Sequence, residues 1–190
     1  MKKYILIFIV GLLFTMNLQA QDQSIGSDKP IRKGFTIGAS AGIGVLHFTE
    51  GMDEKSTQGD ISLPNLKMGW FLNQRTAIYL NSIGQIYQQD GKDRSFEGII
   101  PTIQYWASPK WWIGGGYGAA LDTKVLYKNG DSRKTNWGRG VMVSTGYEVL
   151  QRSKWALDIQ SRVFMGHVDL DEGARLEGTN FTLGVGITLF

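Results

Sequence analysis

The sequence predicts an all-β chain: a single eight-stranded antiparallel up-and-down transmembrane β-barrel. Three observations carry that expectation. Apolar residues recur at every second position in about eight segments, and helical periodicity is almost absent. The connections between segments alternate between tight and long. The aromatic residues of the apolar faces crowd toward the tight connections. Composition is in keeping, with 25 glycines, 22 aromatic residues (6 Trp, 7 Tyr, 9 Phe) and 4 prolines among 190 residues. There is no cysteine, so disulfides contribute nothing and no thiol is available for lipid attachment.

Residues 1–20, MKKYILIFIVGLLFTMNLQA, stand apart. Lys2 and Lys3 precede an apolar run from Ile5 to Phe14, and the stretch ends at Ala20. This is the layout of a secretory signal peptide. The run is shorter than the ~20 residues a retained helical anchor needs. Residues 21–32 then read as a periplasmic N-terminal segment, and 33–190 as the barrel. Without Lys2 and Lys3 the 20 basic residues become 18, against 17 acidic ones, a formal charge of +1. No basic stripe is present, so nucleic acid is not an expected partner. No later window approaches the length of a helical span.

The first segment, 34–48, places Phe35, Ile37, Ala39, Ala41, Ile43 and Val45 on one face and Thr36, Gly38, Ser40, Gly42 and Gly44 on the other. The second, 61–72, sets Leu66, Met68, Trp70 and Leu72 against Asn65, Lys67 and Gly69. In the third, 76–88, Ile78, Leu80 and Ile86 oppose Tyr79, Asn81, Gln85 and Tyr87. The fourth, 96–108, sets Ile99, Pro101, Ile103 and Tyr105 against Thr102 and Gln104. The fifth, 110–125, sets Trp111, Ile113, Tyr117, Ala119 and Leu121 against Gly114, Gly116, Gly118, Asp122 and Lys124. The sixth, 137–149, sets Val141, Val143, Tyr147 and Val149 against Ser144, Gly146 and Glu148. The seventh, 154–167, sets Trp155, Leu157, Ile159, Val163 and Met165 against Asp158, Gln160 and Arg162. The last, NFTLGVGITLF, alternates from Phe181 to Leu189. Pro64 and Pro101 lack the ladder N–H, and each predicts a strand end or a bulge.

Three connections are tight: 73–75, 108–110 and 151–154. Four are longer and polar: 49–60, 88–95, 127–136 and 169–178. Short periplasmic turns with long external loops are the pattern of an outer-membrane barrel. Each segment also supplies the ~9–11 residues that a tilted strand needs to cross a bilayer.

A sheet with one apolar face could also close into a soluble barrel, greasy within. Aromatic placement argues for lipid outside. Phe35, Trp70, Tyr105, Trp111, Tyr147 and Trp155 lie on apolar faces, near the start of strand one or a short turn. Closure gathers them into one girdle, where hydrocarbon gives way to headgroups. Trp137 and Phe181 mark the opposite rim more sparsely. The other face mixes small residues with Lys67, Gln85, Gln104, Glu148, Asp158 and Arg162. Eight strands enclose a space that side chains just fill, and closure pairs every backbone group, as lipid requires. Glu148 and Asp158 are expected to face each other inside, with Arg162 or Lys67 as the neutralising cation. The last strand is expected to pair with the first, which removes both edges.

The chain over roughly 33–190 resembles the small eight-stranded outer-membrane proteins of Gram-negative bacteria, of the OmpX type and the OmpA transmembrane domain. TLGVGITL at 182–189 resembles the C-terminal insertion signal of that family, with Thr182, Gly184, Ile187 and Leu189 in its roles; Phe190 falls one residue out of register with the apolar face. The resemblance implies residence in the outer membrane, contact with its lipid and lipopolysaccharide, and insertion by the barrel-assembly machinery. It implies no cofactor and no metal. The family includes structural barrels, narrow channels, adhesion or evasion factors and a few lipid-modifying enzymes.

An enzyme of this architecture needs a nucleophile and a base near the outer rim. His167 lies there on the apolar face, but Val168 and Asp169 follow it, with no His-x-Ser, so an interface residue is the better reading; His47 is the other histidine. Gly130, Asp131 and Ser132 read as turn chemistry. GGGYG at 114–118 reads as small interior residues, since no helix follows to make a phosphate loop. DLDE at 169–172, and Arg133 with Lys134, read as solvated loop charges before calcium or lipid-phosphate sites. The leading function is therefore a structural or surface-interaction role through four long external loops, with the ligand unspecified. The second is a narrow small-solute pore through Lys67, Gln104, Glu148, Asp158 and Arg162, for which a salt-bridged plug is the preferred reading. A lipid-modifying enzyme comes third.

Overall fold

Alternation along the chain becomes a ring of antiparallel strands in the computed structural model, which describes residues 30–51, 56–62, 64–89, 91–124, 135–170 and 173–190. Residues 1–29, which include the stretch expected to be a signal peptide, Gly130 to Ser132, Arg133, Lys134 and residues 171–172 lie outside the described residues. Nine strand segments lie among the described ones: β1 (Gly34–Glu50), β2 (Thr57–Ile61), β3 (Asn65–Asn73), β4 (Thr76–Gln89), β5 (Lys92–Trp106), β6 (Trp111–Lys124), β7 (Asn136–Gln151), β8 (Trp155–Asp169) and β9 (Arg175–Leu189). β9 pairs back onto β1 from Ile37↔Leu189 to Glu50↔Glu177 and closes the ring. Gly42 faces Gly184 in that ladder. A Cβ on Gly42 would strike the Leu183 carbonyl, and one on Gly184 the Ala41 carbonyl, so the closing seam admits only glycine there.

Nine segments make eight staves, because β2 and β3 both pair with β1. β2 runs from Ile43↔Ile61 to His47↔Thr57, and β3 from Gly34↔Phe71 to Ser40↔Asn65. Between these two ladders Ser62 and Pro64 lie at a β-bulge beside Ala41 and Gly42, with the Ser62 N–H donating to the Gly42 carbonyl at 3.0 Å. Pro64 sits in this bulge, where a missing donor is tolerated. Pro101 departs from expectation. It lies inside β5, facing outward, with the same register on either side, Ile99↔Ala119 and Thr102↔Gly116. The strand runs on and forgoes the local pairing instead of bulging.

Above the bulge the wall is incomplete. β4 pairs with β3 as far as Leu66↔Ser82, and beyond it a single backbone bridge among the described residues, Ser62↔Gln85, links the end of the β2 segment to β4. Side chains replace the ladder. Gln58 Nε2 donates to the Gln88 carbonyl (2.9 Å), the Gln88 N–H donates to Gln58 Oε1 (2.7 Å), and the Ile61 N–H donates to Asp60 Oδ1 (2.7 Å). These contacts satisfy groups that an open edge would leave unpaired.

The short turns fall where expected. The long connection expected at 88–95 does not exist: β4 and β5 pair out to Gln89↔Lys92, and Gly91 takes φ 69° in the turn. Asp-Gly is a hairpin signal, and the polar flanks read as loop are ladder. The connection expected at 169–178 shrinks in the same way, since β8 ends at Asp169 and β9 begins at Arg175.

Side chains divide by parity. Ile37, Leu66, Ile78, Ile103, Val143, Ile159 and Val185 are exposed on the outer wall, while Thr36, Lys67, Asn81, Gln104, Ser144, Asp158 and Thr182 are buried inside. An apolar belt around a whole molecule far exceeds the patches that soluble monomers show.

Candidate functional site

The lumen holds the polar side chains, stacked in three tiers. At the turn end Glu148, 1% exposed, accepts hydrogen bonds from Arg32 Nη2 (2.7 Å), Trp106 Nε1 (2.7 Å) and Gln151 Nε2 (2.6 Å). Arg32 Nη2 also donates to the Pro109 carbonyl at 2.8 Å, and its backbone N–H donates to Gln74 Oε1 at 3.3 Å. The neighbouring Ile31 N–H donates to the Ser153 carbonyl at 3.1 Å. Gln74, Pro109 and Ser153 belong to the three short turns, so the segment before β1 ties all of them together. The Arg32 guanidinium lies over the rings of Trp106 (4.7 Å) and Phe190 (5.9 Å), and Phe71 packs against both, at 5.4 and 5.7 Å. This aromatic floor closes the turn end.

Glu148 and Asp158 do lie opposite each other in the β7–β8 register. The neutralising cation of Glu148 is nevertheless Arg32, not Arg162 or Lys67. Strand parity says nothing about where a residue before the first strand points, so the sequence reading left Arg32 in the periplasmic segment.

The middle tier holds Lys67, Gln104, Asp158 and Arg162, all buried. Lys67 Nζ lies over the rings of Tyr79 (5.1 Å) and Trp112 (5.2 Å). Arg162 Nη2 donates to Gln160 Oε1 at 2.5 Å, and Asn81 Nδ2 donates to Thr102 Oγ1 at 2.5 Å. Lys67 Nζ, Gln104 Nε2, Trp112 Nε1 and Asp158 Oδ1 make no hydrogen bond here. The tier holds four of the five residues expected to cluster inside, Glu148 lying in the turn-end tier, and no salt bridge joins the four.

The upper tier corrects the expectation of a polar interior. Leu46, Phe48, Tyr87, Phe96, Met142 and Phe164 fill it and are fully buried. Phe48 meets Tyr87 at 4.8 Å and Phe96 at 5.6 Å, and Phe96 meets Phe164 at 5.5 Å. Each of them falls on the inward parity of its strand, a signal the sequence carried near the loop ends. Beside this plug Arg94 grips Asp122 with two donors, Nε to Oδ1 (2.8 Å) and Nη2 to Oδ2 (2.5 Å). Tyr87 Oη and Asn136 Nδ2 donate to the same carboxylate, at 2.7 and 3.1 Å. The geometry is the forked Arg–carboxylate pair.

On the outer wall Phe35, Trp70, Tyr105, Trp111 and Tyr147 are exposed near the turn end, and Trp155 is half-buried. Phe35 and Trp70 meet edge to face at 6.4 Å. Trp137 and Phe181 are exposed toward the other end. Thr182 and Gly184 face inward, and Ile187 and Leu189 outward. Phe190 is out of register because it turns under the barrel onto Phe71. His167 lies in register with Arg139 on β7 and Glu177 on β9, and His47 Nδ1 lies 2.7 Å from Thr57 Oγ1. Among the described residues no three His, Cys, Asp or Glu side chains gather as a metal site.

No family model matches the chain, and no curated protein matches it in sequence. Solved structures do match. Neisserial surface protein A is 18% identical at a TM-score of 0.54, covering 82% of this chain and 96% of its own. Ail, the attachment invasion locus protein of Yersinia pestis, is 12% identical at 0.48, covering 82% and 99%. OprG from Pseudomonas aeruginosa is 8% identical at 0.44, covering 85% and 99%. The first of these superposes well enough to bear on the fold. With its apolar outer belt and closed antiparallel ring, this chain has the fold of the small eight-stranded outer-membrane β-barrels.

Proposed function

We propose that the protein stands in the outer membrane as a closed, non-enzymatic barrel, serving as a structural or surface-interaction element through its external connections. The observation that carries this reading is the filled lumen: an aromatic floor under Arg32–Glu148 and an apolar plug around Phe48 and Phe164 enclose the polar tier. Residues 1–20 would direct export, and the segment 21–32 would stay on the periplasmic side, its last residue Arg32 reaching into the turn end of the barrel. The six aromatic residues from Phe35 to Trp155 would form the interfacial girdle, and Thr182 to Phe190 the signal read by the barrel-assembly machinery. Lipopolysaccharide would meet the wall at the loop end.

Planar-bilayer recording tests the proposal. The wild type should show no steady conductance. Stable openings that change with Lys67→Ala or Arg162→Ala would replace it with the pore reading. That second reading has one observation in its favour, the unpartnered polar atoms of the middle tier. Lipid composition of cells carrying His167→Ala should match the wild type; a missing lipid product would restore the enzyme.

A further inference from the structure

We infer that the outer wall carries a specific phospholipid site, with one acyl chain in a groove over Gly115 and the headgroup phosphate at Lys110. The wall is not evenly covered. A depression of about 520 Å³ lies among Ile103, Tyr105, Ile113, Gly115, Val143 and Val163. That volume falls in the range of small-molecule sites. The hollow arises because Gly115, Thr145 and Ser161 are small where the neighbouring positions carry large apolar side chains. Strand packing does not require this glycine. A Cβ on Gly115 would meet only the Met142 carbonyl at 3.4 Å, an ordinary contact, whereas one on the inward Gly116 or Gly118 would strike the β5 backbone.

Position and charge select the occupant. Lys110 is exposed in the turn that leads into β6, five residues before Gly115. Five residues of strand span roughly 17 Å, less in depth because the strands tilt. The groove therefore lies in the periplasmic half of a hydrocarbon core about 30 Å thick. A chain that hangs from a phosphate at Lys110 runs along it. Tyr105 and Trp111 stand at its lower lip, at headgroup level. Trp111 Nε1 donates to Thr145 Oγ1 at 2.7 Å, which fixes the indole against the groove's lining at its lower end. Lys110, at the foot of β6, is one of several exposed cations at this end, with Lys33, Arg75, Arg152 and Lys154, and an apolar channel rising from them fits an anionic phospholipid of the inner leaflet.

The inference rests on the membrane siting proposed above, and vesicle flotation tests that siting separately. The direct test is native mass spectrometry of the full barrel from equal parts palmitoyl-oleoyl phosphatidylglycerol and phosphatidylcholine. The wild type should retain one phosphatidylglycerol in preference to phosphatidylcholine. Gly115→Leu should lower retention of both at least about tenfold, a difference well within what one side chain contributes. Lys110→Gln should abolish the headgroup preference. No preference in the wild type, or unchanged retention in Gly115→Leu, overturns the site. Should Gly115→Leu fail to fold, phosphatidylglycerol with a photoactivatable acyl chain decides the matter on the wild type. Adducts concentrated on 103–115 and 143–163 support the site, and even labelling around the wall overturns it. Failure of the wild type to float with vesicles would sink the siting instead.

Discussion

Replacing Arg32 with alanine tests how the turn end is held. The perturbation leaves Glu148 buried, still accepting from Trp106 and Gln151, but without the cation at 2.7 Å. Breaking a buried ion pair costs about 3–5 kcal/mol. Here the side chains are 7% and 2% exposed, but the pair lies at the lumen mouth and two neutral donors remain. The lower end, about 3 kcal/mol, is therefore expected, with ~0.5–1 kcal/mol more for the lost stacking on Trp106. Adding Glu148→Gln removes the stranded charge and should recover most of that loss. Urea unfolding in lipid vesicles, followed by tryptophan fluorescence across the double-mutant cycle, measures both quantities. A loss below about 1 kcal/mol for Arg32→Ala, or no recovery in the double variant, would refute the reasoning.

Gly138→Ala should fail to give a heat-modifiable band, because its Cβ would strike the His167 carbonyl and crowd Val168, whereas Gly115→Ala should fold as the wild type does. Amide hydrogens of β2 should exchange faster than those of β8 and β9, since β2 lacks a backbone ladder on its β4 side; equal protection contradicts the incomplete wall. Gln58→Ala should speed exchange at Gln88, whose N–H donates to Gln58. Asp122→Ala strands Arg94 beside the apolar plug and should cost about 3–5 kcal/mol in the same urea assay.

Much of the fold was legible because one period governs it. Ile103, Val143 and Val185 on one parity and Gln104, Ser144 and Thr182 on the other are enough to divide wall from lumen. The tight turns and the closing strand followed from the same pattern. What escaped was whatever breaks or overlays the period. The bulge at Pro64 shifts parity, so Ile61 and Leu66 both face outward. The polar flanks of Gly91 look like loop, although they pair as strand. Phe48, Phe96 and Phe164 were hidden because a two-face reading expects one face to be uniformly polar. Lys67, Gln104, Asp158 and Arg162 occupy the parity that the pattern assigns to the inner face, and all four are buried. The inward reach of Arg32 is not legible, since no strand pattern extends to it.

Because the chain has no cysteine, single cysteines can be placed along β7 and spin-labelled in bilayers without background. Labels at Val141, Val143 and Thr145 should be relaxed by oxygen dissolved in the hydrocarbon and shielded from a water-soluble nickel reagent, while Met142 and Ser144 respond weakly to both. The opposite alternation, with the odd positions dry and packed and the even ones open to nickel, would contradict a filled barrel standing in lipid.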